Sequence, residues 1–268
     1  MAVTAGFHSP HVRAARLLHS KKHRAGARCF LIEGPALVNA ALDAGAMPTA
    51  LFHLPERSAA ADASATAAEA AGVPVYAVDE RTLDSLAQTR APQGIVAQVP
   101  FVERTGPEDL AALVPADGPA TILVLHDLDD PGNAGTLVRS AEAFGVRAVC
   151  FGPESVEPYN DKLVRATMGA LFRVPIVRYE AWPELAKSLE QMGMQAIAAA
   201  AGAPDIRSVQ PPARSALILG NERQGLSALP TDAFALTVGI PQRPQGESLN
   251  VAVAGSILLY ELARLGFQ

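Results

Sequence analysis

The sequence predicts an α/β protein of two domains, and three observations carry that expectation. Short apolar, β-branched runs alternate with amphipathic or Ala-rich stretches of helical length, the pattern of βαβ units on a mainly parallel sheet. At roughly 150 residues per domain, 268 residues make a little under two domains. From Glu103 to Pro119 the apolar patterning weakens, and Gly106, Pro107, Pro115, Gly118 and Pro119 give the stretch the composition of an interdomain connection. The expected division is therefore 1–102, a linker at 103–119, and 120–268.

Ser9 before Pro10 reads as an N-cap with proline at the first helical position, opening a basic helix to about Lys22. CFLIE (29–33) reads as a strand, and Gly34-Pro35 starts a helix closed by Gly45. TALFH (49–53), an Ala-rich helix over 59–71, VPVYAV (73–78), a helix after Asp79 and GIVAQV (94–99) complete the first half. In the second half TILVLH (121–126) restarts the alternation, followed by a helix from about Ala134 to Phe144 and RAVCF (147–151). A helix near 160–169, a strand at 171–177, a helix at 182–192 and strands at 195–200, 215–219 and 235–240 continue it. The last element, 248–265, is a helix apolar on most sides, which needs a core or a second subunit to cover it.

Hydrophobic residues make up 49% and charged residues 18% of the chain, which excludes a disordered protein. No apolar run reaches the roughly 18 residues of a membrane span, and the N-terminus lacks the apolar core of a signal peptide, so the expected location is the cytoplasm. Cys29 and Cys150 lie far apart in apolar runs without metal-ligand spacing and read as buried thiols; no metal site is expected. The net charge of −5 hides an asymmetry. No acidic residue precedes Glu33, whereas Arg13, Arg16, Lys21, Lys22, Arg24 and Arg28 do, with four of the six histidines. Such an arm suits a phosphate backbone, where binding gains from counterion release, although a solvated helix face has the same composition.

Three loops share one design, a strand ending in a Gly- and Pro-rich turn loaded with polar groups: HDLDDPGNAG, GNERQGLS and PQRPQGESLN. In open α/β sheets the ligand lies at the carboxyl ends of the strands, so the three are expected to meet around one pocket. There is no GxGxxG after a strand, no GxxxxGK[ST], no HExxH and no GxSxG, which disfavours dinucleotide dehydrogenases, P-loop NTPases, zinc hydrolases and α/β-hydrolases. His126, at a strand end, reads as a structural histidine.

DDPGNAGTLVRSAEAFG, LILGNERQGLS and IPQRPQGESLNVAVAGSILLYE resemble, in order and spacing, the three signature motifs of the SpoU/TrmH family, the 2′-O-ribose RNA methyltransferases of the SPOUT superfamily. KKHRAGARCFLIEGPALVNAAL and RAPQGIVAQV resemble the substrate-binding domain that precedes the catalytic domain in many members, and YNDKLVRATMGALFRVPI the segment between the first two motifs. The third motif departs from the family where QRPQGE replaces a commoner Gly- and Met-containing turn.

The resemblance implies an N-terminal α/β/α substrate-binding domain and a C-terminal parallel-sheet methyltransferase domain with a deep trefoil knot, an exception to the rule against threaded loops. It implies S-adenosylmethionine as cofactor, held largely through backbone groups at Gly220, Ile240 and Leu249, and a homodimer formed partly by the last helix. It places Arg139, Asn133, Glu222, Ser248 and Asn250 in the catalytic site. Asn133 and Ser248 have an alternative reading as N-caps of their helices. The RNA is expected to be ribosomal and to be gripped by Arg13, Arg16, Lys21, Lys22, Arg24 and Arg165, the last having an ion pair as its alternative. Rival readings are a tRNA-directed enzyme, an RNA-binding protein that has kept the fold without turnover, and a small-molecule-binding protein with an incidental basic arm.

Overall fold

The computed structural model describes residues 3–103, 106–221, 224–243 and 247–266, with side chains of the last helix described as far as residue 264. The chain divides into two compact units, Met1–Val102 with Tyr159–Phe172, and Glu103–Pro158 with Arg173–Gln268.

The first unit is built on strands β1 (Val3–Thr4), β2 (Cys29–Glu33), β3 (Ala50–His53), β4 (Val75–Ala77) and β5 (Ile95–Pro100), in the spatial order β1-β4-β3-β5-β2. Its helices are α1 (Pro10–Leu17), α2 (Lys21–Ala27), α3 (Pro35–Asp43), α4 (Ala59–Ala70) and α5 (Glu80–Asp84). Ser9 caps α1 through its side chain, as the Ser-Pro pair predicts, and Asp79 caps α5. The expected single basic helix is two, because the chain leaves helical geometry at Ser20, which is extended.

The sheet of this unit is mixed. β1, β4 and β3 are parallel, whereas β5 runs antiparallel to both β3 and β2. A parallel return needs a crossover that carries the chain back along the strand. The five-residue α5 stays at the end where β4 finishes, so β5 enters beside the last residue of β3, with Ile95 opposite His53. The returning segment Tyr159–Phe172 adds aromatic cover to β2: the Tyr159 ring lies 4.6 Å from Phe30 and stacks on Phe101 at 3.8 Å. Helix α7 (Asp161–Ala166) belongs to this segment.

The second unit carries a wholly parallel sheet of β6 (Ala120–Leu125), β7 (Val149–Phe151), β8 (Ile176–Arg178), β9 (Gln195–Ala199), β10 (Arg214–Leu219) and β11 (Leu236–Val238), in the order β11-β9-β10-β6-β7-β8. The central strands β6 and β10 are almost wholly apolar and buried on both faces, as parallel strands covered by helices must be. One face is covered by α8 (Trp182–Gln191), through Leu185 and Leu189, and by the 3₁₀ turn Pro107–Ala112 and the residues just after it, through Leu110 and Val114. The segment read as a linker thus supplies core side chains to this unit.

Helices α6 (Pro131–Ala143) and α9 (Val251–Gly266) pack against each other. Gly255 makes this approach possible, since a Cβ there would lie 2.5 Å from Leu219 Cδ1 and 2.6 Å from Leu137 Cδ2. Ser140 and Ser256 hydroxyls bond across the seam at 2.7 Å. Among the described residues no helix is long and apolar enough to cross a membrane.

Candidate functional site

The carboxyl ends of β9, β10 and β11 open on a cavity of about 660 Å³, a size suited to a nucleoside-bearing small molecule. Gly220, Asn221, Ile240, Ser248 and Leu249 line it, with Leu219, Val251 and Leu258 among its apolar walls. The three residues expected to hold the cofactor therefore face one space. At Gly220 the chain turns so tightly that a Cβ would land on the Gly225 carbonyl, which accounts for glycine here. Backbone groups beside an apolar wall suit a group with an aromatic base and a polar ribose, so the cavity fits S-adenosylmethionine.

Asn133 and Asn250 meet beside the cavity's Ser248–Leu249 edge. The Asn250 Nδ2 donates to Asn133 Oδ1 at 2.9 Å, joining two residues that lie 117 apart in sequence. The cap readings need correction. Helix α6 is capped by Asp130, whose carboxylate accepts from the Asn133 amide at 2.7 Å, so the Asn133 side chain is not the cap and its Oδ1 faces Asn250. Helix α9 begins at Val251 and not at Ser248: Asn250 Oδ1 accepts from the Ala252 and Val253 amides at 2.8 and 3.3 Å. Asn250 thus caps one helix and grips the first turn of another. Asn250→Ala is expected to cost about 1 kcal/mol in urea unfolding from the lost cap, and to lower methyl transfer beyond that stability loss because Asn133 loses its partner.

Arg139 stands on α6 six residues after Asn133, about 9 Å along the axis. It is exposed, and among the described residues it makes no hydrogen bond or ion pair, so its guanidinium remains available to an anionic ligand. Glu222 lies outside the described residues.

Sequence reasoning passed over a buried network directly beneath these loops. Asp127, at the end of β6, adopts a left-handed φ of 58°, and its carbonyl accepts the Asn221 Nδ2 at 3.0 Å, tying the first polar loop to the second. Non-glycine residues in that region store strain and concentrate at functional sites. His126 is buried, with Nδ1 2.7 Å from the Tyr179 hydroxyl and Nε2 3.4 Å from Asp127 Oδ2. A signal for Asn221 was present, since an Asn following a strand-end glycine is a turn former whose side chain bonds to nearby backbone.

Burial pushes the His126 pKa below its ordinary value, and the Asp127 carboxylate only partly offsets this. Burial likewise raises Tyr179, which stays protonated and donates to Nδ1. His126 is then neutral in the folded chain while its unfolded counterpart takes a proton below about pH 6.5. Stability is therefore expected to fall as pH drops through that value and to level off below the folded pKa. His126→Gln should flatten this limb in urea titrations at pH 7.5 and 5.5.

The basic arm separates into two groups. Arg13, Lys21 and Lys22 are exposed and unpaired among the described residues. Arg24 is instead buried, its Nη1 donating at 3.0 Å to the carbonyls of Leu18 and His19, so it closes the end of α1 and is not placed to meet a phosphate. Arg16 is half-buried, with Nη2 on the Phe7 carbonyl at 3.0 Å. Arg165 takes its alternative role, an ion pair with Asp161 at 2.9 Å one helical turn away. Cys29 and Cys150 are both buried free thiols.

Fold and site together define an α/β protein with a small-ligand cavity at the carboxyl ends of a parallel sheet, lined in part by polar strand-end loops. Residues 120–260 match the SpoU rRNA Methylase family, and residues 9–97 match the MRM3-like substrate binding domain. The chain is 32% identical over 253 residues to the 23S rRNA (guanosine(2553)-2′-O)-methyltransferase RlmP of Bacillus subtilis, covering 94% of this chain and 95% of that one. It superimposes on the crystal structure of an AdoMet-bound rRNA methyltransferase from Sinorhizobium meliloti with a TM-score of 0.84, at 30% identity, covering 99% and 98% of the two chains. A crystal structure described as an RNA 2′-O ribose methyltransferase gives 0.80 at 28% identity with full coverage of both. The chain belongs to the SpoU family of RNA methyltransferases.

Proposed function

We propose that this protein transfers a methyl group from S-adenosylmethionine to a ribose 2′-hydroxyl of ribosomal RNA, in the cytoplasm, with 1–102 as the RNA-binding part, 120–268 as the catalytic part and 103–119 as a connection that also packs into the core of the second unit. The observation that carries this reading is the cavity at the strand ends with the Asn133–Asn250 pair at its rim.

When bound, the cofactor supplies an electrophilic methyl on a positively charged sulfur. The chain's own residues have to align the ribose and manage its proton. Asn250, fixed by its own helix, holds Asn133, and the pair offers donors and acceptors to a sugar hydroxyl. Ser248 supplies a hydroxyl at the cavity edge, and Glu222 is assigned to orient Arg139 or the substrate through a charge-assisted bond.

Arg139 remains a cation. A guanidinium keeps its proton in proteins, and an exposed helix position supplies nothing that would remove it. It grips an RNA phosphate and stabilises the alkoxide as it develops, while a phosphate oxygen or water takes the proton. Arg13, Lys21 and Lys22 add sequence-independent phosphate contacts.

The unit works as a homodimer with the knotted topology of its family. On α9 the side chains Val253, Ile257 and Tyr260 recur at helical spacing and are 48%, 38% and 51% exposed, an apolar stripe that a second copy would cover. Sedimentation equilibrium should give a dimer for the unaltered chain and a monomer for Ile257→Asp. A monomer in both would end this part of the reading. The choice of RNA is tested by labelled methyl transfer to unmodified ribosomal RNA and tRNA in parallel. Label confined to ribosomal RNA is expected, and label confined to tRNA would replace the substrate.

A further inference from the structure

At the β1–β4 edge of the first unit, three elements bring together rings and cations that no part of the methyl-transfer site uses. Phe7, just ahead of α1, has the Arg16 guanidinium 4.0 Å and the Arg81 guanidinium 4.6 Å from its ring centre, with His8 against it edge-on at 5.1 Å. At the second residue of α1, His11 stacks on Tyr76 of β4 at 4.6 Å and 26°, and Tyr76 stacks in turn on the buried Phe52 at 5.6 Å.

The outer members of both stacks are exposed, flat and basic: Arg81 and His11. Arg81 sits over the Phe7 ring, yet among the described residues its N–H groups make no hydrogen bond or ion pair. A cation held over a ring, with its donors unspent, loses little conformational freedom on meeting a ligand.

We propose that Arg81 on Phe7 and His11 on Tyr76 form a stacking platform for unpaired bases of the RNA substrate, which rests on the reading of this chain as an RNA methyltransferase. Sequence-specific RNA recognition uses splayed bases stacked on aromatic rings and guanidinium planes, and such stacking is worth roughly tenfold or more in affinity per base. The platform makes the first unit a reader of single-stranded RNA as well as a holder of phosphates. It also gives two of the N-terminal histidines separate places, with His11 stacked on one ring and His8 set edge-on to another.

The test uses the full-length chain and a 12-nucleotide mixed-sequence RNA, with an abasic counterpart of equal charge, in fluorescence anisotropy at two salt concentrations. His11→Ala and Arg81→Lys are each expected to weaken binding of the base-bearing RNA about tenfold, to leave binding of the abasic strand within twofold, and to leave the salt slope unchanged. His11→Phe keeps a flat ring and should restore most of the affinity. Thermal melting of each variant checks that the unit is folded. Base-bearing RNA bound within twofold by both variants would overturn the platform, as would equal losses on the abasic strand, which would make the contact purely electrostatic. Methyl transfer by the unaltered chain, measured alongside, separates the two readings: transfer with no variant effect on binding removes the platform alone, and variant effects without any transfer remove the enzyme reading alone.

Discussion

Arg139→Ala is expected to reduce methyl transfer about 10²- to 10³-fold while S-adenosylmethionine binding stays within twofold. The magnitude is that of removing one preorganised donor from a developing oxyanion. The separation of the two readouts follows from placement: Arg139 projects from α6 as an exposed, unpaired cation among the described residues, whereas the cofactor cavity is lined from β9–β11 and the approach to α9. Arg139→Lys distinguishes a charge from a base. A retained cation that only loses its forked geometry should lower the amplitude of the pH–rate profile without moving it. A new low-pKa limb that appears with the lysine would mean that residue 139 takes the proton.

Gly220→Ala is the complementary case, with cofactor binding expected to fall at least a hundredfold. The added methyl would sit on the Gly225 carbonyl, a backbone atom, and within 2.8 Å of Leu226 Cδ2. Backbone cannot swing aside as a side chain does, so the loop from Gly220 to Gly225 has to open, taking with it the Asn221 tie to Asp127. Isothermal titration with S-adenosylmethionine measures the loss. Unchanged affinity would show that the cavity at the strand ends is not where the cofactor binds.

The gathering of three loops at one end of a sheet was legible in the sequence because strand periodicity fixes where each loop begins. The sequence also held the information for the α6 cap. Pro131 at the first helical position points to the residue before it, Asp130, as the cap, and reading Asn133 there overlooked that offset. Asn250 could not be separated from Ser248 by residue type, since both are good caps. Only the true start of α9 at Val251 distinguishes them.

Other features depend on contacts that composition does not encode. A count of basic residues treats Arg24 and Lys21 alike, yet one guanidinium is buried on the carbonyls ending α1 and the other side chain is in water. The direction of β5 followed from the shortness of α5, which the alternation of elements did not reveal. The return of Tyr159–Phe172 to the first unit rests on rings 129 residues apart, Tyr159 on Phe30, and no local pattern announces it. The His126–Tyr179 pair is another such meeting, a strand end and a distant strand exit joined in the core.

Ribose methylation is measured by transfer of labelled methyl from S-adenosylmethionine to unmodified ribosomal RNA, followed by digestion to nucleosides. Label is expected on a single 2′-O-methylated ribose, absent with Arg139→Ala. Label on a base, or a labelled ribose that persists in that variant, would contradict it.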